Sequence, residues 1–280
     1  MNFTDKLQKA VHSSGSVLSV GLDPDPVKIP GVLKQEIPDL HEQVIEFCRR
    51  VIGATKNHAC AFKPNMAFFE ALGEAGWKML REVSDMIPSN RIFIADAKRG
   101  DIGNTAGKYR EAFFDRLSAD AITLNPLMGL DTLEPYSGDA SKALFILTMT
   151  SNIGSADFLQ RRFEGRLSLG EYIAELLAKK QEKSEAHLGM VIGATQPEAF
   201  EPVIRAHPKA HLLIPGIGSQ GGTVETVARA TERHQGMVIV NASRSVIYAG
   251  GDDADWEAAV SESAARLKEK LKPVTERYAG

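Results

Sequence analysis

Residues 91–106 read RIFIADAKRGDIGNTA. The run RIFIAD (91–96) is short, apolar and rich in β-formers up to Asp96. Its character then changes at once: Lys98, Arg99 and Asp101 crowd around Gly100, and a helical pattern carrying Tyr109, Ala112 and Phe113 follows. An apolar run that ends in charge and leads into a helix is one β–α unit. A strand apolar at nearly every position is one covered on both faces, as in a parallel sheet.

The same unit recurs outward in both directions. The other apolar runs are SVLSVGL (16–22), ACAFK (59–63), ADAITL (119–124), ALFILTM (143–149), LGMVIG (188–193), AHLLIP (210–215) and MVIVNA (237–242). Helical stripes separate them: Leu40, Val44, Phe47, Cys48, Val51 and Ile52; more loosely Phe69, Leu72, Trp77 and Leu80; then Tyr172, Ile173, Leu176 and Leu177; and last Trp256, Val260 and Leu267. Aromatic residues on these stripes read as core. Strand–helix alternation fits an open doubly wound sheet as well as a barrel. Eight strands in units of roughly 30–35 residues favour an α/β chain closed into a (β/α)8 TIM barrel. No linker or composition break divides the chain, so residues 1–280 are expected to form a single barrel domain.

With 280 residues, 43% hydrophobic and 25% charged, the chain has the composition of a soluble globular protein that needs no metal or disulfide staple to fold. A formal charge of −3 argues against general nucleic-acid binding, so a bound anion must be held by local groups. Cys48 and Cys60 lie in apolar stretches without disulfide or metal-ligand spacing and read as buried small hydrophobes. The start MNFTDKLQKAVHSSGS has no signal-type apolar core, and no run approaches membrane-spanning length. A cytoplasmic protein without a membrane partner is expected.

Barrel enzymes act at the C-terminal ends of their strands. The polar residues that end apolar runs here are Asp23 in SVGLDP, Lys63 in AFKPN, Asp96 and Lys98 in FIADAKRGD, and Arg244 in NASRS. Side-chain alternation puts Ile92, Ile94, Asp96 and Lys98 on one face, Ala59, Ala61 and Lys63 on another, and Ser19, Gly21 and Asp23 on a third. These charges are expected to converge on one mouth, either as a structural ring of ion pairs or as a reactive cluster. Asp101 and Asn104 fit helix N-caps, and Thr105 a first helical turn, or they belong to the cluster.

A second constellation is IPGIGSQGG, where Gly216, Gly218 and Gly221 match G-x-G-x-x-G after a strand. The acidic residue of a dinucleotide site is missing, since Asn241 stands near its place. The loops after strands seven and eight of a barrel are instead a usual phosphate site, with Gln220 and backbone amides as the cradle and Arg244 as the clamp. In TMTSNIG, Ser151 and Asn152 suit the recognition of an amide-bearing ring, or are plain turn residues. The irregular stretch from Ser151 to about Gly170, with its RRFEGR, reads as a solvated excursion. His41, His187, His207, His211 and His234 lie on helices or junctions, and neither a metal triad nor a G-x-S-x-G elbow is present. Asp and Lys acting on a phosphorylated small molecule are left to carry the chemistry.

These motifs resemble the orotidine 5′-phosphate decarboxylase family in its longer bacterial-type branch. FIADAKRGDIGNTA is the central match, with VGLDP, FKPN, NPLMGLDTLEPY, TSNIG, IPGIGSQGG and NASRSVIY in family order over nearly the whole chain. The resemblance implies a homodimer that turns orotidine 5′-monophosphate into UMP and carbon dioxide without a cofactor or metal, in de novo pyrimidine synthesis. It implies that Lys63, Asp96, Lys98 and Asp101 form an alternating charge network with Lys98 as proton donor. Asp101, Ile102 and Thr105 are implied to reach the partner's site, Asp23 and Lys63 to contact ribose, Ser151 the pyrimidine, and Gln220 and Arg244 the phosphate. Ser243 stands where shorter relatives often carry Gly, and Ile153 where Pro is frequent. Other readings of the same residues are a metal-dependent sugar-phosphate decarboxylase or Schiff-base aldolase of a related barrel family, and a non-catalytic nucleotide-binding barrel.

Overall fold

Eight parallel strands follow one another in sequence order around a closed barrel in the computed structural model, which describes residues 1–193, 197–216 and 223–278. They are β1 (Leu18–Leu22), β2 (Ala61–Pro64), β3 (Ile92–Arg99), β4 (Ala121–Leu124), β5 (Ala143–Met149), β6 (His187–Ile192), β7 (Leu212–Pro215) and β8 (Val238–Ala242). Each lies within or across one of the eight apolar runs, so the (β/α)8 expectation is borne out. The edges move by a few residues: ACAFK shifts to β2, which starts two residues later and takes in Pro64, AHLLIP narrows to β7, and RIFIAD lengthens into β3 as far as Arg99. Among the described residues no helix is long and apolar enough to cross a membrane.

Contacts divide the chain into two units, 7–97 with 242–280, and 1–6 with 98–241. In the first, β1 pairs with β2 through Ser19↔Ala61 and Gly21↔Lys63, and β2 pairs with β3 through Ala61↔Ile92. The helix Leu40–Thr55 is capped by Asp39, whose side chain accepts from the Glu42 N–H, and buries Val44, Phe47, Cys48, Val51 and Ile52. That is the expected stripe, although Leu40 at its first turn is exposed. Phe47 stacks on Trp256 at 5.5 Å, and both cysteines are buried and free.

In the second unit, β4 pairs with β5 (Ile122↔Leu144), β5 with β6 (Phe145↔Gly189), β6 with β7 (Met190↔Leu212) and β7 with β8 (Leu212↔Val238). β4 is buried at every residue, and so are Phe145, Ile146, Met190, Ile214 and Val240 on its neighbours. Gly189 is required here, because a Cβ would sit 2.7 Å from the Phe145 ring. The stretch after β5 forms two short 3-10 turns, Ile153–Asp157 and Phe163–Gly165, and its Arg161 and Arg162 are exposed, as a solvated excursion requires.

Two aromatic assignments are corrected. Trp77 and Tyr172 are exposed (42% and 46%), not core. The supposed stripe Phe69–Leu80 is two helices, Met66–Glu70 and Gly76–Asp85, broken at Gly73 with φ +73°, so its spacing does not carry across. Tyr172 sits one position off the face Ile173, Ala174 and Leu177 that its helix buries.

Candidate active site

In the first unit the sequence places Lys63 on β2 and Asp96 on β3, in neighbouring parallel strands. Both side chains are buried, and the Lys63 ammonium donates to Asp96 Oδ2 at 2.5 Å. Burial pulls Lys63 toward neutrality, but the Asp96 and Asp23 carboxylates together outweigh it and hold its pKa above the ordinary lysine range. Lys63 is therefore a fixed cation, and Asp96 is held against it. Asn65, just past β2, adds an isolated bridge to Asp96 and caps the next helix through the Ala67 N–H.

Asp23 follows β1 directly. Its Oδ2 accepts from the Ser243 hydroxyl, while its Oδ1 is buried with no hydrogen-bond partner among the described residues. Arg244 begins the short helix Arg244–Ile247 after β8 and is exposed.

In the second unit, Lys98 ends the apolar part of β3 and is exposed. Its N–H donates to Thr123 Oγ1 on β4 at 3.0 Å. Its φ is +48°, a left-handed conformation that a lysine rarely adopts. The strict alternation assumed for Asp96 and Lys98 therefore does not carry through Lys98. Gly100 lies so close to Asn125 that a Cβ would meet its carbonyl oxygen at 2.7 Å, which explains a glycine between Lys98 and Asp101.

The helix Gly103–Arg110 has Ile102 at its N-cap and no side-chain cap. Asp101 instead accepts from the Ile102 N–H at 2.8 Å, so the N-cap reading of Asp101 and Asn104 is not realised. Ile102 is 54% exposed, unusual for an isoleucine, and Asn104 and Thr105 are exposed beside it. Ser151 lies just beyond β5 and packs against Gly193, where a Cβ would clash with its backbone at 2.4 Å. Gln220, Gly218 and Gly221 lie outside the described residues. Among the described residues no group of three or more His, Cys, Asp or Glu side chains is placed to hold a metal ion.

The structure thus couples Lys63 with Asp96 and Asp23 with Ser243, and puts Lys98, Asp101, Ile102 and Thr105 on the segment that continues from Asp96. It also gives a role to Tyr248, the last residue of NASRSVIY, to which the sequence reading assigned none: its hydroxyl donates to the Asp23 carbonyl at 2.8 Å. The sequence does not show this partnership, because the bond spans 225 positions.

Comparison with known proteins gives this arrangement a context. The family model described as "Orotidine 5'-phosphate decarboxylase / HUMPS family" matches residues 16–259. The chain belongs to that family. It is 43% identical over 257 residues to the orotidine 5′-phosphate decarboxylase of Herpetosiphon aurantiacus, covering 92% of this chain and 93% of the relative. It is 39% identical to the enzyme of that name from Dehalococcoides mccartyi, covering 99% and 100%. The structure of Leishmania donovani OMP decarboxylase superposes with a TM-score of 0.81 at 33% identity, covering 99% of this chain and all of that one. The resemblance carried by FIADAKRGDIGNTA and its companion motifs is therefore borne out, as is the fold it implied.

Proposed function

We propose that this chain decarboxylates orotidine 5′-monophosphate to UMP, in pyrimidine synthesis. The observation that carries the reading is the buried Lys63–Asp96 ion pair, continued within five residues by Lys98 and Asp101. Burying such charges is costly, and a structural role could be filled by apolar residues at less expense. Relatives of 39–43% identity that bear the decarboxylase name support it.

In this reaction the bond between the ring carbon and the carboxylate breaks, the electron pair stays on the carbon, and carbon dioxide leaves. A proton must then be delivered to that carbon. We assign Lys98 as its donor, with the developing negative charge stabilised by the ammonium before transfer. Asp96 and Asp101 flank Lys98 in sequence. Lys63 holds Asp96 by pairing with it. Asp23 and Lys63 contact the ribose, Ser151 the pyrimidine, and Gln220 and Arg244 the phosphate, whose binding energy orders the site for the distant chemistry.

Ile102, exposed and apolar, with Asp101 and Thr105 beside it, fits a surface that meets a second copy of the chain, so a homodimer with shared sites is part of the proposal. A cytoplasmic location follows from the same role.

The test is ultraviolet monitoring of orotidine 5′-monophosphate with purified, metal-stripped protein. Substrate absorbance falls, and EDTA leaves the rate unchanged. EDTA-sensitive turnover of sugar phosphates would instead identify a metal-dependent relative. Tight UMP binding without turnover would identify a nucleotide-binding barrel, and trapping of a carbonyl substrate by borohydride an aldolase.

A further inference from the structure

Asp23 is followed by Pro24, which has no N–H, so the segment beyond β1 lacks one backbone tie. Tyr248 supplies another. Its hydroxyl donates to the Asp23 carbonyl at 2.8 Å and accepts from the Asp25 N–H at 2.7 Å, clamping both sides of the proline. The ring is itself fixed: it stacks on Phe47 at 5.5 Å and 13°, and Phe47 stacks on Trp256 at 5.5 Å and 23°. The Asp23 side chain is fixed separately, by the Ser243 hydroxyl on Oδ2. What is left is Oδ1, buried and without a hydrogen bond among the described residues. A carboxylate oxygen accepts, so this one calls for a donor, and a hydroxyl supplies one.

We infer that Ser243 and Tyr248 are positioning residues that hold Asp23 with Oδ1 presented to a sugar hydroxyl of the nucleotide, an inference that rests on the function proposed above. Ser243 is joined directly to Arg244, so one residue ties the sugar-reading carboxylate to the proposed phosphate clamp. Neither Ser243 nor Tyr248 touches the reacting atoms in this scheme; both act through Asp23.

The experiment measures the affinity of UMP and of its 2′-deoxy and 3′-deoxy analogues, as competitive inhibitors, for the wild type, Ser243→Ala, Ser243→Thr and Tyr248→Phe. Circular dichroism and urea unfolding verify that each variant is folded. The wild type prefers UMP over the analogue that lacks the hydroxyl read by Asp23. Ser243→Ala lowers that preference by about tenfold, as expected for a lost hydrogen bond to a charged group, and leaves affinity for that analogue nearly unchanged. Tyr248→Phe lowers it in the same sense, and Ser243→Thr, which keeps the hydroxyl, restores it. A uniform loss for all three ligands, or an unchanged preference, overturns the inference. A wild type that decarboxylates substrate but ignores both sugar hydroxyls also overturns it while leaving the proposed function standing. A wild type that neither binds UMP nor decarboxylates removes the proposed function and this inference with it.

Discussion

At the scale of single residues, Lys98 and Lys63 illustrate two costs that a fold bears only with compensation. Lys98 is held at φ +48°, where a Cβ is disfavoured by about 1 kcal/mol or more and glycine is not. Such strain at a charged residue on a strand end points to function. Lys98→Ala is therefore expected to abolish turnover while UMP still binds, as measured by single-turnover assay and calorimetry; near-normal turnover would remove Lys98 from its role. Lys98→Gly is expected to be equally inactive, yet about 1 kcal/mol more stable than Lys98→Ala by urea unfolding. Lys63 presents the other cost. Its ammonium neutralises Asp96 inside the fold, so Lys63→Ala strands a buried carboxylate and is expected to lower stability by about 3–5 kcal/mol. A change below 1 kcal/mol would show the pair to be better solvated than its burial implies. Both lysines were legible in the sequence because each ends an apolar run. The left-handed backbone at Lys98 was not, since residue type marks that conformation only when the residue is glycine or asparagine. The two bonds that fix Asp23 were equally hidden, for they join positions 220 and 225 residues apart.

At the scale of elements, periodicity was readable wherever one helix runs unbroken. Leu40–Thr55 has sixteen residues, enough turns for its buried face to stand out. Over Met66–Asp85 the same reasoning failed at Trp77, because Gly73 divides the segment into two short helices whose faces are not in phase. The helix Leu169–Gln181 shows how a boundary is set by local chemistry. Ser168 accepts from the Glu171 N–H, and the Glu171 carboxylate accepts from the Ser168 N–H, a reciprocal capping box that ends the excursion after β5. Ser168→Ala removes one half of this box. Stability is expected to fall by about 1 kcal/mol with an unchanged urea m-value, and kcat to remain that of the wild type. A large loss of activity in this variant would mean that the cap also orders the neighbouring excursion for catalysis.

At the scale of the whole molecule, the regular recurrence of apolar runs carried the barrel, and the charged residues at their ends carried most of the candidate site. Long-range side-chain placement was out of reach, and four of the histidines show why. One by one they read as residues on helices or junctions, at the surface or in the core; in the fold they gather around the starts of β6, β7 and β8. His211 accepts from the Met237 N–H at Nδ1 (3.0 Å), so its proton lies on Nε2 and points to Thr4 Oγ1 (2.9 Å). His187 stacks on it at 3.7 Å and accepts the His211 N–H at Nε2 (2.9 Å). His234 donates from Nε2 to the Ala210 carbonyl (2.7 Å). Two of these rings offer a lone pair to a backbone donor, an arrangement that a protonated imidazole cannot make. Burial, with the neighbouring imidazoles, pushes His187 and His207 down to about 4 and His211 well below the ordinary histidine range; burial also lowers His234. In the unfolded chain each titrates near 6.5. Between these values the unfolded state binds protons that the fold refuses, so stability is full above about pH 6.5 and falls as pH drops toward 4, by several kcal/mol over the group. Most carboxylates stay ionised down to about pH 5, which leaves the range from 5 to 6.5 to the histidines. Urea unfolding across that range is expected to show stability rising with pH. His187→Gln, which keeps an acceptor but does not titrate, should flatten the rise, whereas an undiminished slope in that variant would mean that His187 already accepts a proton in the folded state.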